Sequence, residues 1–296
     1  MTVTAPAAVR ATRPATEPYL PFALRVTNSV RLSTTFVRVT LAGESLVDFD
    51  YHGLDQRMSL LFLPPGTDCE AFAREPDWMA AWRSGPPSSW APLRVYTVRA
   101  FRPEAREIDV DFALHGVGSP ASRWASTAKA GDGIVMISAA PGHPITDVAW
   151  RPPADASRLL LAADETALPA AASILEALHR PARAFIEVPF PDDRLTIAGP
   201  AEITWLVRSE GERLEPVVRE QLDRSAPAGT PGDVVEQEDG DVWDVPEEAA
   251  GGFYAWLAGE AGTVVSLRRH LVAERGVDRR AVAFMGYWKK GRAQPN

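Results

Sequence analysis

The hydrophobic pattern of this chain changes period once, at Arg151-Pro152-Pro153, and that change limits what it can fold into. Before it, short segments alternate apolar and polar residues, the signature of strands with one buried face. Phe36-Val37-Arg38-Val39-Thr40-Leu41 does so with β-branched residues, and Ser59-Leu60-Leu61-Phe62-Leu63 is an apolar run closed by Pro64-Pro65-Gly66. Ile108, Val110, Phe112 and Leu114 fall on one face of a stretch ending at His115. Val95–Ala100 reads as another strand, and so does Ile134–Ile137 after the turn Gly131-Asp132-Gly133. Gly66–Pro92 reads as a long loop with one short helix at Trp78–Trp82, and Ser119–Lys129 holds the one substantial helix of this half. Short strands between turns predict a small antiparallel barrel.

After the break, strands alternate with helices. Strands are expected at Arg158–Ala162, Ala184–Val188, Ile203–Val207, Phe253–Ala258 and Ala281–Tyr287. Helices are expected at Thr166–Arg180, with Asp164 as N-cap, at Leu214–Leu222, and at Thr263–Arg275, closed by Gly276. That alternation predicts a parallel α/β sheet, so the fold class is β-barrel plus α/β. The boundaries are a disordered tail over 1–21, a barrel over 22–150 and an α/β domain over 151–296. The acidic, Gly- and Pro-containing stretch Asp223–Gly252 reads as a flexible loop. A ligand crevice is expected at the carboxyl ends of the parallel strands, facing the barrel.

Composition narrows the function classes. The 296 residues suffice for two domains, and no stretch is apolar enough for a membrane span. Met1–Pro21 has no charged start followed by an apolar core, so it does not read as a secretory signal. The single cysteine, Cys69, excludes an internal disulfide and a multi-cysteine metal site, and reads as an incidental loop thiol. A net charge of −8 argues against a nucleic-acid partner. The expectation is a cytoplasmic protein with no resident metal and a small-molecule substrate.

The chemistry concentrates in a few places. Arg94-Val95-Tyr96-Thr97 sets a cation, an aromatic ring and a hydroxyl along one strand. The cation suits a pyrophosphate, the ring a flavin face and the hydroxyl the flavin edge. His115 follows, then Gly118-Ser119-Pro120-Ala121-Ser122 leading into a helix, whose N-terminal N–H groups can hold phosphate. Asp164 and Thr166 stand in a strand–turn–helix of nucleotide-domain form, without glycine in the turn. Glu260 ends a strand as either a functional carboxylate or a helix-start acid. Tyr287-Trp288-Lys289-Lys290-Gly291-Arg292 reads either as a solvated tail or as the rim of an anion site.

In order along the chain, Arg94–Arg99, His115-Gly116 with Gly118–Trp124, Asp164-Glu165-Thr166-Ala167-Leu168-Pro169, and Ala258-Gly259-Glu260 with Gly286–Arg292 resemble the siderophore-interacting protein family. These are ferric-siderophore reductases of the ferredoxin-reductase-like superfamily. The resemblance implies non-covalent FAD on a six-stranded antiparallel barrel and NAD(P)H or a ferredoxin meeting the second domain. It also implies electrons passed to a ferric chelate held near Ser59, His143, Glu260, Tyr287, Trp288, Lys289, Lys290 and Arg292. Three positions depart from the family pattern. Ser59 follows Gln56-Arg57-Met58 where a Lys is usual, Ala140-Pro141-Gly142-His143 lacks the usual Arg, and Ala163 replaces a turn glycine. Two lost cations leave open an organic intermediate of a biosynthetic pathway as the substrate, and a flavin-free binding protein is the third reading.

Overall fold

The computed structural model describes residues 18–115, 119–225, 242–246 and 252–292. Seven antiparallel strands make the first sheet: β1 (Tyr19–Arg31), β2 (Phe36–Ala42), β3 (Arg57–Leu61), β4 (Leu93–Thr97), β5 (Ala100–Arg102), β6 (Glu107–Ala113) and β7 (Gly133–Ala139). Their order is β4-β3-β7-β1-β2-β6-β5. The two outermost strands, β4 and β5, are consecutive in the chain. Between them, the Val98 N–H donates to Gln56 O ahead of β3, and the Arg99 N–H donates to Asp109 O on β6. One bent segment therefore bonds to both edges, and the sheet curls around a core that includes Phe22, Val39, Leu60, Val110, Phe112 and Met136. Helix α3 (Pro120–Thr127) packs Ala121 and Ala125 onto that core.

Three expectations change here. Tyr19, Leu20 and Pro21 are not tail but the start of β1, paired with Ala139, Ser138 and Ile137. The 66–92 insertion holds two short helices, α1 (Cys69–Ala73) and α2 (Trp78–Trp82), started by the carboxylates of Asp68 and Asp77. Cys69 is accordingly a buried helix residue packed with Trp78 and Val135 rather than a loop thiol.

The second sheet contains β8 (Arg158–Ala163), β9 (Arg183–Val188), β10 (Glu202–Val207), β11 (Trp243–Asp244), β12 (Phe253–Glu260) and β13 (Val282–Trp288), ordered β10-β9-β8-β12-β13-β11. The first five in that order are parallel, as the strand–helix alternation predicts. The sheet is mixed rather than parallel because β11, from the stretch expected to be a loop, pairs antiparallel on the edge. The rest of that stretch, 226–241 and 247–251, lies outside the described residues. Helices α4 (Leu168–Ala177), α5 (Leu214–Ser225) and α6 (Ala261–Arg269) cover the faces, and a π-helical turn, His270–Glu274, extends α6 up to Gly276 (φ 68°).

Buried carboxylates tie the halves together. Asp55, just before β3, accepts from the N–H groups of Ala149 and Trp150 in the connecting segment (3.2 and 3.0 Å) and from Trp256 Nε1 on β12 (3.3 Å). Asp193, after β9, accepts from Ser33 Oγ (2.6 Å), Thr35 N (2.9 Å) and Thr35 Oγ1 (2.6 Å) at the β1–β2 turn. Arg99 adds a bidentate pair with Glu176 on α4 at 2.8 and 2.6 Å.

Candidate functional site

Strand alternation gives Arg94 and Tyr96 one face of β4 and Thr97 the other. The Tyr96 ring lies 4.5 Å from Phe112, centroid to centroid, and Phe112 continues through Trp124 to Phe62. Burial pushes the Tyr96 hydroxyl well above its ordinary pKa. Burial also lowers the Arg94 pKa, since a guanidinium withdrawn from water is costly to keep charged. Its Nη1 donates to Leu93 O at 2.9 Å. Thr97 is buried, opposite Arg57 on β3.

At the start of α3, Ser119 Oγ accepts from the Ser122 N–H (3.4 Å) and Ser119 O from the Arg123 N–H (3.0 Å). Ser122 Oγ in turn accepts from the N–H of exposed His115 (3.3 Å). Pro120 has no N–H, so this terminus offers fewer donors to a phosphate than an uncapped helix would. Gly118 lies outside the described residues, with 116 and 117.

A second group gathers at the carboxyl ends of β8, β12 and β13. Asp164 is 5% exposed and accepts four hydrogen bonds. Oδ1 takes Thr166 N (2.8 Å) and Thr166 Oγ1 (2.5 Å), while Oδ2 takes Glu260 N (2.8 Å) and Trp288 Nε1 (2.8 Å). It is thus a turn-closing carboxylate and not the expected N-cap, which is Ala167. Burial and then the neighbouring Glu165 charge push its pKa up to about 6 against the pull of these donors. Glu165 is held by Arg208 (3.0 and 2.5 Å), which also binds Glu187 (2.6 Å).

Glu260 resolves as a helix-start acid. Its Oε2 accepts from Thr263 N (2.9 Å), and its Oε1 reaches across to Lys290 N (3.1 Å). Lys289, Lys290 and Arg292 are exposed beyond β13. Ser59 shares a face of β3 with Arg57 and sits between Val95 and Ile137. His143 is half-buried in the loop after β7, its N–H on Ala140 O (3.2 Å), next to Gly142 at φ 80°.

What joins the two groups is a stack the sequence reading did not single out. The Arg57 guanidinium lies 4.2 Å from the Trp243 ring centroid. Trp243 stacks on Tyr287 at 6.0 Å and 9°. The strand pair bearing Thr97 therefore touches the end of β13. The only sequence cue was an aromatic residue inside an acidic, turn-rich segment. The cavity lined by Arg38, Arg99, Asp111, Leu168 and Pro169 between the halves measures about 210 Å³, too small for a dinucleotide.

Comparison with known proteins assigns the two halves. Residues 25–144 match the profile of the siderophore-interacting FAD-binding domain, and residues 156–291 match that of the siderophore-interacting protein. An uncharacterised Mycobacterium tuberculosis protein is 34% identical over 281 residues, 92% of this chain and 91% of that one. The ferric vibriobactin reductase ViuB of Vibrio cholerae is 29% identical over 275 residues, 88% of this chain and 86% of the enzyme. The crystal structure of a siderophore utilization protein from T. fusca superposes with a TM-score of 0.67 at 28% identity, covering 94% of this chain and 95% of that one. A ferredoxin reductase of carbazole 1,9a-dioxygenase shares the fold, with a TM-score of 0.61 at 15% identity over 93% of this chain and 71% of its own. A flavin oxidoreductase-like chain with an FAD-binding first half, this protein belongs to the siderophore-interacting protein family.

Proposed function

We propose that the protein reduces ferric siderophores, with FAD as the cofactor held by the first sheet and NAD(P)H or a ferredoxin as the electron donor. The observation that carries this reading is the half-buried Arg94 guanidinium beside the half-buried Tyr96 ring on β4, on a strand pair that the Arg57–Trp243–Tyr287 stack joins to the second sheet. A guanidinium can pair with a pyrophosphate through charge-assisted, bidentate hydrogen bonds. The residues present therefore fit FAD. Arg94 would bind the pyrophosphate with the Ser119–Ser122 helix start, Tyr96 would pack on the ring system, and Thr97 would meet its edge. Gly118 and His115 would border the phosphates. Asp164 and Thr166, the remaining expected cofactor residues, bond to one another and to β12 and β13, so their role is to shape the crevice.

When bound, FAD supplies the means of passing electrons from the donor to iron singly. Tyr96, backed by Phe112, would shield one face of the ring from water, and Lys289, Lys290 and Arg292 would meet an anionic ferric chelate. Iron accepts one electron, and the ferrous ion formed is held less tightly by hard oxygen ligands. Ser59 and His143 line the first-sheet side of this reading, where the family's usual cations are missing. Affinity for anionic chelates is therefore expected to rest on the end of β13. The test is a steady-state assay with NADH, NADPH or reduced ferredoxin and several ferric chelates. Reduction no faster than free FAD supports would overturn the reading.

A further inference from the structure

The end of β13 is held in an unusual geometry. The β12–β13 register runs Gly259↔Gly286 and then Glu260↔Trp288, so Tyr287 is an extra residue, a β-bulge. Bulges re-aim side chains. Here the bulge sends Tyr287 onto Trp243 and turns the Trp288 indole N–H to Asp164 Oδ2 at 2.8 Å. The opposing strand is built for the same contact. Gly259 has φ 140°, and a Cβ there would lie 2.6 Å from Asp164 Cγ, so the carboxylate occupies space that only glycine leaves. The Glu260 N–H donates to the same Oδ2, and Glu260 Oε1 accepts from Lys290 N. Asp164 and Glu260 together anchor residues 288 and 290.

We infer that Asp164 is a positioning residue for the reaction: through Trp288 it holds the bulged end of β13, and with it Lys289 and Lys290, where an anionic chelate meets the crevice. The inference rests on the functional reading above. It assigns specificity to a buried carboxylate whose own charge would repel such a ligand, and that conflict of sign makes it testable. Were Asp164 only an unfavourable neighbouring charge, neutralising it would tighten chelate binding. As the anchor, its loss weakens binding. Asparagine cannot replace it, because an amide carries one acceptor oxygen and the four donors approach both carboxylate oxygens.

The experiment compares wild type, Asp164→Asn and Trp288→Phe, all loaded with FAD, using a trianionic ferric tris(catecholate) as the probe. Asp164→Asn is expected to raise KM about tenfold, the worth of one hydrogen bond to a charged acceptor, with a much smaller change in kcat. Trp288→Phe should do the same, and the double variant should be no worse than either single one. An independent readout needs no chelate. The indole ¹⁵N–H resonance missing in Trp288→Phe should shift as pH falls through about 6 and be insensitive to that change in Asp164→Asn. The titratable groups facing Asp164 are Glu165 on its own turn and Tyr287 from β13, while β12 presents the Glu260 N–H. An unchanged or lowered KM in Asp164→Asn would overturn the inference, as would an indole resonance indifferent to Asp164. A wild-type protein that reduces no ferric chelate would overturn the functional reading alone, and the indole titration would still decide whether Asp164 anchors Trp288.

Discussion

Arg94 shows how much one residue carries. Its guanidinium is half-buried on a strand whose backbone is already paired with β3, residue 94 opposite Leu60. Removing the side chain leaves that ladder intact, so its contribution to cofactor binding separates cleanly from its contribution to folding. Tyr96 does not separate in this way. Its ring is 4.5 Å from Phe112, and truncation to alanine would open the core at a cost of about 3–5 kcal/mol. Arg94→Gln is therefore the sharper test of the flavin site. A charge-assisted hydrogen bond to phosphate is worth about 1.5–3 kcal/mol, so FAD affinity should fall by about ten- to a hundredfold. The check is a fluorescence titration of the apoprotein with FAD, beside a thermal melt of the apoprotein that should not move. Equal affinity in the variant would remove Arg94 from the cofactor site.

At the scale of the elements, short ladders are held by side chains as much as by backbone. β5 is three residues long and pairs with β6 at Asp109, Ile108 and Glu107. Arg102 on β5 grips the Asp109 carboxylate at 2.7 and 2.8 Å, and Thr40 on β2 donates to it at 2.8 Å. Burial alone would raise the Asp109 pKa, but Arg102, Thr40 and Arg38 together bring it below its ordinary value. A carboxylate depressed on folding adds stability above its unfolded pKa of about 3.9 and loses it as pH falls through the folded value. Arg102→Gln should thus cost about 1 kcal/mol at pH 7, discounted because the Arg102 side chain is 42% exposed, and less at an acid pH where Asp109 is protonated in both states. Urea midpoints at the two pH values decide it, and a deficit of equal size at both would assign the loss to packing. Apart from β1 and β5, the strands of the first half and the five parallel strands of the second were legible from alternation and β-branched runs, because those signals are local. The bulge at Tyr287 and the two-residue β11 were not, because each exists only through a partner strand elsewhere in the chain. For the same reason Arg94, Tyr96 and Thr97 stood out as a local pattern, while Arg57 and Trp243, 186 positions apart by their numbering, did not.

For the whole molecule, the question is whether the two halves move against each other. A crevice enzyme can close around its ligand by hinge motion, and hinges need few and weak cross-contacts. Here the cross-contacts are buried and saturated. Asp193 is wholly inaccessible and accepts from Ser33 Oγ, Thr35 N, Thr35 Oγ1 and Phe190 N. Asp55 holds the connecting segment to Trp256, and the Tyr254 hydroxyl accepts from Arg151 N (3.2 Å) and donates to Ala149 O (3.3 Å). Contacts of this kind favour a crevice of fixed width, whose selectivity resides in what lines it. Asp193→Ala tests this directly, because it leaves four donors without their acceptor at the seam between the halves. Each buried donor so stranded costs about 1–3 kcal/mol before water enters, so the seam should loosen by several kcal/mol in all. The wild-type apoprotein should unfold in one calorimetric transition, since neither half can leave without stranding those groups. The variant should melt lower and split into two transitions, one for each half, while keeping most of its FAD affinity, because no proposed FAD contact touches residue 193. A single transition at the wild-type temperature would show that the seam is not what makes the halves cooperative.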